Sequence, residues 1–340
     1  MAYIIAEIGC NHNGSVELAK KMVDAAVETG VDAVKFQTFK ADKLISKYAP
    51  KAEYQKKTTG NSDTQLEMTK KLELSFDQYL EMKQYCETKN VDVFSTAFDQ
   101  ESLDFLISTG MSIFKVPSGE ITNLPFLQQV GEQHAKVILS TGMATLAEVH
   151  TAVDILTKNG SNDITILHCT TEYPTKYEDI NLRVLHTLKT EFPNYKVGFS
   201  DHSIGYQVPI MAAALGAEII EKHFTTDNNL PGPDQKASGT PDIFKKMVKG
   251  IRISEIAMGS PIKEPTEVEL ENRIVARKSI IASRDIKKGE KFNESNITLK
   301  RPGNGISPMD WYSIMGMESQ QAFKTDQLIV DDRFKNQDKK

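Results

Sequence analysis

The sequence predicts an α/β chain folded as a (β/α)8 TIM barrel and followed by a small second domain. Three observations predict it. Eight short β-rich runs alternate with helix-length amphipathic stretches over about 260 residues, most runs end in polar side chains, and the alternation then stops. A doubly wound open sheet is the competing architecture, but it usually has fewer units and lacks such regular polar endings.

The strand candidates, in order, are 3–9 (YIIAEIG), 33–39 (AVKFQTF), 92–98 (DVFSTAF), 113–119 (IFKVPSG), 136–142 (KVILSTG), 164–170 (ITILHCT), 196–202 (KVGFSDH) and 219–225 (IIEKHFT). Between them lie helices with apolar residues at period 3.6, such as 16–29, 75–90 and 146–158, and a last helix at 241–258 closes the series. Segment 40–74 is long and mostly polar. Loops of this length are usually functional or disordered, and its place after the second strand makes it a candidate substrate lid. The expected division is a barrel over 1–260, a charged linker with two prolines over 261–278, and a turn-rich second domain over 279–340. At that size the second domain's core is expected to be thin and to need a partner surface.

Composition removes several function classes. Of 340 residues, 41 are Lys or Arg and 46 are Asp or Glu, a formal charge of −5, so no global basic field awaits nucleic acid. No apolar window is long enough to cross a membrane, and no partner membrane is expected. The opening MAYIIAEIGCNHNGS has no basic start and its apolar run is broken by Glu7, unlike a signal peptide. Three widely spaced cysteines, Cys10, Cys86 and Cys169, read as reduced thiols in a cytoplasm.

The stretch 219–238, IIEKHFTTDNNLPGPDQKAS, is the most telling. Strand geometry puts Glu221 and His223 on one face, and a Gly/Pro turn then presents Asp234 and Lys236. One strand earlier Ser200 and His202 share a face in the same way. Glu7, Lys35, Gln37, Thr96, Lys115, Ser118, Glu120, Ser140, Thr141, His202, Glu221 and His223 all fall at or just past strand ends, which a barrel gathers at one mouth. Lys115 and Ser118, with Ser140 and Ser200, suit an anion such as phosphate, and no Walker or dinucleotide glycine pattern is present. His202 and His223 could hold a divalent metal with open positions for water and substrate; two satisfied core histidines are the alternative. His134, His150 and His186 fall in or near helices, His12 lies in a turn at the mouth, and His168 fits either role. A metal-polarised carbonyl beside an anion pocket, with Glu120 and Asp234 handling protons, suits aldol-type bond formation and sugar isomerisation equally.

The motifs IIAEIGCNHNGS, AVKFQTF, STAFD, FKVPSGE, STGM, HCTTEYPT, GFSDHS, EKHF, GPDQKAS and KRPGNG, in this order, resemble the bacterial sialic acid synthases, the nonulosonic acid synthases that condense phosphoenolpyruvate with an N-acylated hexose. The resemblance implies a TIM barrel followed by an antifreeze-like (SAF) domain, and a domain-swapped homodimer. It implies that Lys115, Ser118, Ser140, Ser200 and Thr96 contact phosphoenolpyruvate. His202 and His223 would bind a Mn²⁺-type ion, with Mg²⁺ or Co²⁺ as alternatives. Glu120 and Asp234 would hold the sugar and assist proton transfer, with Glu7, Lys35 and Gln37 nearby; Glu7 and Lys115 join the catalytic set. Thr171, Glu172, Tyr173, Glu221 and Lys236 complete the substrate-binding set, and Arg301 would reach the partner's sugar.

Two departures bear on the acceptor. Sialic acid synthases proper tend to read CTN-x-YP where this chain has Cys169-Thr170-Thr171-Glu172-Tyr173-Pro174. Glu172 resembles the branch that uses 2,4-diacetamido-2,4,6-trideoxymannose to make N,N'-diacetyllegionaminate, since a carboxylate can accept a second acetamido N–H. Gln235 stands where many sialate enzymes carry His. N-acetylneuraminate synthesis from N-acetylmannosamine is the alternative. Synthases of phosphorylated aldoses would want an arginine cluster, and a non-catalytic carbohydrate- or ice-binding module would want a flat uncharged face; neither is evident.

Overall fold

The computed structural model describes residues 1–60 and 62–334. The chain divides into two compact units, Met1–Gly259 and Ser260–Lys340. In the first, β1 (Tyr3–Gly9), β2 (Ala33–Thr38), β3 (Asp92–Ala97), β4 (Ile113–Val116), β5 (Lys136–Ser140), β6 (Ile164–Cys169), β7 (Lys196–Asp201) and β8 (Ile219–His223) close a barrel of parallel strands in chain order. Each strand begins at its expected residue. All but β1 stop one to three residues short, where the chain bends into the loops that build the mouth.

The crossovers carry α1 (Val16–Val27), then α2 (Ala41–Leu44), α3 (Glu53–Thr59), α4 (Gln65–Lys70) and α5 (Phe76–Thr88) between β2 and β3. They continue with α6 (Gln100–Ser108), α7 (Leu124–Gly131), α8 (Leu146–Lys158), α9 (Val184–Glu191), α10 (Gln207–Ala214) and α11 (Pro241–Met258). Local chemistry sets several starts: Ser15 caps α1, and Thr64/Glu67, Ser75/Gln78 and Thr145/Glu148 form capping boxes.

The two-residue period of the strands sorts the core. Ile4, Ala6, Ile8, Val34 and Phe36 face the helices in one apolar cluster. Ile5, Ala33, Phe94, Ile138, Leu167 and Ile219 pack against each other in a second, the plug of the barrel interior. Two residues further along each strand, on the same face, come Glu7, Lys35, Thr96, Ser140, Cys169 and Glu221. The barrel therefore passes from an apolar layer to a polar one within a single repeat of the pleat.

Segment 40–74 differs from the expectation of a loop. Three short helices organise it, because capping groups such as Thr64 and Glu67 satisfy helix ends too short to show apolar periodicity.

The second unit contains α12 (Glu267–Ala276), β9 (Ser279–Ala282), β10 (Ile297–Lys300) and α13 (Trp311–Ile314); β9 and β10 pair antiparallel. Helix α12 lies within the charged segment 261–278, and a Thr266/Glu269 capping box starts it. Ile280, Phe292, Ile297, Ile314, Phe323 and Ile329 give this unit a buried core of its own.

Candidate active site

The polar layer of the barrel is a buried ring of opposite charges. Lys35 Nζ lies 2.7 Å from Glu7 Oε2 and 3.8 Å from Glu221 Oε2, and it donates to Thr96 Oγ1 at 3.0 Å. Lys115 Nζ lies 3.5 Å from Glu221 Oε1 and donates to Ser140 Oγ at 2.7 Å. Ser200 Oγ donates to Glu221 Oε1 at 2.9 Å, and Gln37 Nε2 donates to Glu7 Oε1 at 2.9 Å. Strand register explains the meeting, since Glu7 pairs with Lys35 across β1–β2 and Ser200 with Glu221 across β7–β8. Two carboxylates and two ammoniums removed from water face one another in this ring. Burial pushes Glu221 up, but the charges of Lys115 and Lys35 outweigh it and hold the carboxyl below the usual glutamate range. For Glu7 burial prevails over Lys35, and its carboxyl is raised.

Above the ring stands a pair of imidazoles. The His202 and His223 ring centroids are 5.5 Å apart, and the Tyr173 ring covers both, at 4.2 Å from His202 and 5.6 Å from His223. His202 Nδ1 faces the Thr170 carbonyl at 2.6 Å, which leaves Nε2 for another partner. His223 Nδ1 is buried without a hydrogen bond and lies 3.9 Å from Asp234 Oδ2. Burial lowers the pKa of both histidines, so both are neutral at pH 7 and able to ligate. It raises Asp234 to about 6, and the Cys10 thiol, 3.7 Å away, only partly offsets this.

This pair passes a fit test for a metal. It offers an orphaned buried nitrogen and a second imidazole oriented by a carbonyl, the arrangement that fixes a ligating tautomer. Among the described residues no cluster of three or more His, Cys, Asp or Glu side chains forms a metal cage. An ion here would therefore have two protein nitrogens and would fill its remaining positions with water and substrate oxygens, as an open site requires.

Beside the histidines lies a cavity of about 410 Å³, floored by Gln37, Tyr173, His223 and Asp234. Segment 40–74 forms its roof through Leu44, Ile45, Tyr54, Gln55, Gln65 and neighbours. Tyr54 packs on Tyr173 with ring centroids 5.2 Å apart. On the other side of the ring Ser118 Oγ accepts from the Gly142 N–H at 2.9 Å and lies 3.3 Å from Cys169 Sγ.

The structure thus gathers Glu7, Lys35, Gln37, Thr96, Lys115, Ser140, Ser200, Glu221, His202, His223, Asp234 and Tyr173 at one mouth. Others stand apart. The Glu120 carboxylate accepts from Asn123 Nδ2 at 2.5 Å in a short 3-10 turn, outside the ring. Lys236 is exposed in the short 3-10 turn after β8 and donates to Asn229 Oδ1 at 3.2 Å. Thr171 and Glu172 are exposed at the rim, and Arg301 belongs to the second unit, donating from Nε to the Ala276 carbonyl at 2.9 Å. His12 is buried and accepts from the Gly14 N–H at 3.0 Å, bracing its turn, while His168 Nε2 meets the Ile180 carbonyl at 2.6 Å as a core histidine. The sequence marked segment 40–74 as a candidate lid by its length and place but did not single out Leu44, Ile45, Tyr54 and Gln55, the residues that line the cavity.

Comparison with known proteins matches this geometry to a lineage. The sequence model of the NeuB family matches residues 22–263, and that of the SAF domain matches residues 277–335. The chain is 48% identical over 328 residues to the N,N'-diacetyllegionaminic acid synthase of Campylobacter jejuni, covering 96% of this chain and 98% of that one. It is 46% identical over 318 residues to the N,N'-diacetyllegionaminic acid synthase of Legionella pneumophila, covering 92% and 89%. The crystal structure of an N-acetylneuraminic acid synthetase from Leptospira borgpetersenii superposes with a TM-score of 0.72 at 34% identity, over 80% of this chain and 90% of that one.

Proposed function

The chain belongs to the NeuB family, and on that premise we propose that it condenses phosphoenolpyruvate with open-chain 2,4-diacetamido-2,4,6-trideoxymannose, releasing phosphate and forming N,N'-diacetyllegionaminate. The observation that carries the reading is the buried ring of Lys35, Lys115, Thr96, Ser140 and Ser200 directly beneath His202 and His223. A non-catalytic sugar-binding barrel has no use for four buried charges. The two relatives named for legionaminic acid synthesis support the choice of acceptor, as does the exposed Glu172 carboxylate at the rim, which makes no ion pair among the described residues. N-acetylmannosamine, giving N-acetylneuraminate, is the second reading, and the 34% identical Leptospira structure favours it.

In this reaction the ammoniums of Lys35 and Lys115 and the hydroxyls of Thr96, Ser118, Ser140 and Ser200 hold the phosphate and carboxylate of phosphoenolpyruvate. Carbon 3 then bonds to the aldehyde carbon of the sugar. The charge left at carbon 2 is met by water, which leaves a hydroxyl there. That hydroxyl becomes the carbon 2 ketone, its proton passing to the departing phosphate, as the bond from carbon 2 to the phosphate oxygen breaks with its electron pair leaving on phosphate. Asp234, poised near neutrality, gives a proton to the oxygen developing on the former aldehyde, and Glu7 takes one from the attacking water. His202 and His223 would hold a divalent ion, Mn²⁺ or alternatively Mg²⁺ or Co²⁺, which when bound supplies Lewis-acid polarisation of the sugar carbonyl.

We read the working form as a domain-swapped homodimer in the cytoplasm. Support for the dimer comes from the apolar residues Val268, Leu270, Ile274 and Val275, which stand exposed on α12, and from Arg301 lying outside the barrel unit. The three free cysteines support a reducing compartment.

The test is phosphate release from phosphoenolpyruvate with Mn²⁺, comparing the diacetamido sugar with N-acetylmannosamine. Preference for the first is expected; preference for the second makes the chain an N-acetylneuraminate synthase, and release with neither overturns the acceptor class.

A further inference from the structure

We propose that segment 40–74 is the sugar-selecting element of this site, and that the apolar wall it forms with two strand ends receives the deoxygenated carbon-6 end of the acceptor and discriminates against a 6-hydroxyl. The inference rests on the function proposed above and assigns its specificity to named residues. The aldehyde end of the acceptor belongs at His202 and His223, so the rest of the sugar extends into the adjoining cavity under the roof. There the wall is Phe39, Leu44, Ile45 and Phe98, with the two phenyl rings edge to face at 6.4 Å. Phe39 and Leu72 are buried, and Leu44 and Phe98 pack against them. None of these side chains has a donor or acceptor, so a hydroxyl turned against them gains no partner from the wall for the water it loses. A methyl group loses nothing.

The same roof carries a complementary polar group. Gln55 Oε1 already accepts from the Ala52 N–H at 3.0 Å, which leaves its amide nitrogen as a donor only, suited to an acetamido carbonyl. The roof beside the wall is held in place. The buried Lys51 ammonium donates to Thr59 Oγ1 at 3.2 Å and to the Gly60 carbonyl at 3.1 Å and pairs with Asp63, while Tyr54 rests on Tyr173. A prearranged apolar wall together with an amide donor fits a 6-deoxy acetamido sugar better than a 6-hydroxylated one.

The experiment compares kcat/KM for 2,4-diacetamido-2,4,6-trideoxymannose with that for the same sugar carrying a 6-hydroxyl, in the unaltered chain and in Ile45→Asn and Leu44→Thr. An apolar pocket rejects an added hydroxyl by ~100-fold, so a preference of that order is expected. It should shrink to tenfold or less, on the order of one lost hydrogen-bond penalty, in Ile45→Asn, with the KM for phosphoenolpyruvate unchanged. Leu44→Thr carries the same test if Ile45→Asn does not fold. Equal use of both sugars by the unaltered chain, or an unaltered preference in both variants, overturns the inference and leaves the proposed function standing. Turnover of neither sugar overturns both.

Discussion

His202 presents its Nδ1 to the carbonyl oxygen of Thr170 at 2.6 Å. A carbonyl can only accept, so Nδ1 carries the proton and Nε2 keeps its lone pair free. The contact orients the imidazole that is proposed to ligate the metal.

His202→Ala and His223→Ala are therefore expected to abolish metal-dependent turnover while leaving the fold. Loss of an outer-shell partner alone weakens metal binding by ~10–100-fold, and removal of a ligand should cost at least that. Calorimetric titration with Mn²⁺ alone checks this without reference to activity. Unchanged Mn²⁺ affinity in either variant sinks the ligand assignment.

Tyr54 reaches from the roof onto Tyr173, which itself covers both histidines. An aromatic pair of this kind contributes ~0.5–1.5 kcal/mol beyond buried area, so Tyr54→Ala should raise the sugar KM by roughly two- to tenfold. The KM for phosphoenolpyruvate, whose proposed place is the ring below, should stay where it is. Equal rises in both would show that the roof governs the whole mouth.

Glu221 is the counter-charge for the two lysines of the ring, Lys35 and Lys115. Its carboxyl is lowered below the usual range, so the stability it contributes is whole above the ordinary glutamate pKa and is lost as pH falls through the folded value. Glu7 is raised and has the opposite sign, its contribution fading as pH rises. Removing one partner of a buried pair costs ~3–5 kcal/mol, so Glu221→Gln should be destabilised by about that much at pH 7. The gap should narrow from about pH 5 toward about pH 3, where the unfolded chain's glutamate protonates. Urea unfolding at both ends of that range decides; a gap that widens in acid contradicts the ring's charge arrangement.

These outcomes bear on what the sequence could and could not convey. Glu7, Lys35, Thr96, Ser140 and Glu221 were legible because the pleat has a period of two, and each follows an interior apolar residue by two positions. Their convergence needed only the closing of the barrel. Lys236 and Glu120 lie beyond the strand ends, where no period fixes direction, and local partners, Asn229 and Asn123, hold them. The roof was opaque because helices of four to seven residues show too little periodicity to be read, and tertiary contacts such as Tyr54 on Tyr173 hold them in place. Helix α12 was hidden by its charges and by the prolines ahead of it, although its Thr266/Glu269 start was written in the sequence.

Arg301, carried by the second unit, is proposed to reach a sugar in the partner's barrel. A charge-assisted hydrogen bond contributes ~1.5–3 kcal/mol, so Arg301→Ala should raise the sugar KM by ~10-fold or more and spare phosphoenolpyruvate. An unchanged sugar KM counts against the swapped arrangement, as does a monomeric mass by light scattering.

Gly142 is the tightest point of the anion side. A Cβ there would stand 2.3 Å from Thr171 Oγ1, 2.8 Å from Ser118 Oγ and 3.2 Å from Cys169 Sγ. Its own N–H donates to Ser118 Oγ, so the glycine both admits and positions that hydroxyl. Gly142→Ala must push Ser118 or Thr171 aside, and a displacement of about 1 Å near reacting groups can cost ~100-fold in rate. The loss should appear in kcat/KM for phosphoenolpyruvate, with Mn²⁺ affinity retained because His202 and His223 lie on other strand ends. If Ser118→Ala alone is nearly silent while Gly142→Ala is severe, the displaced group is Thr171; if the two losses match, Ser118 is the group that the glycine serves.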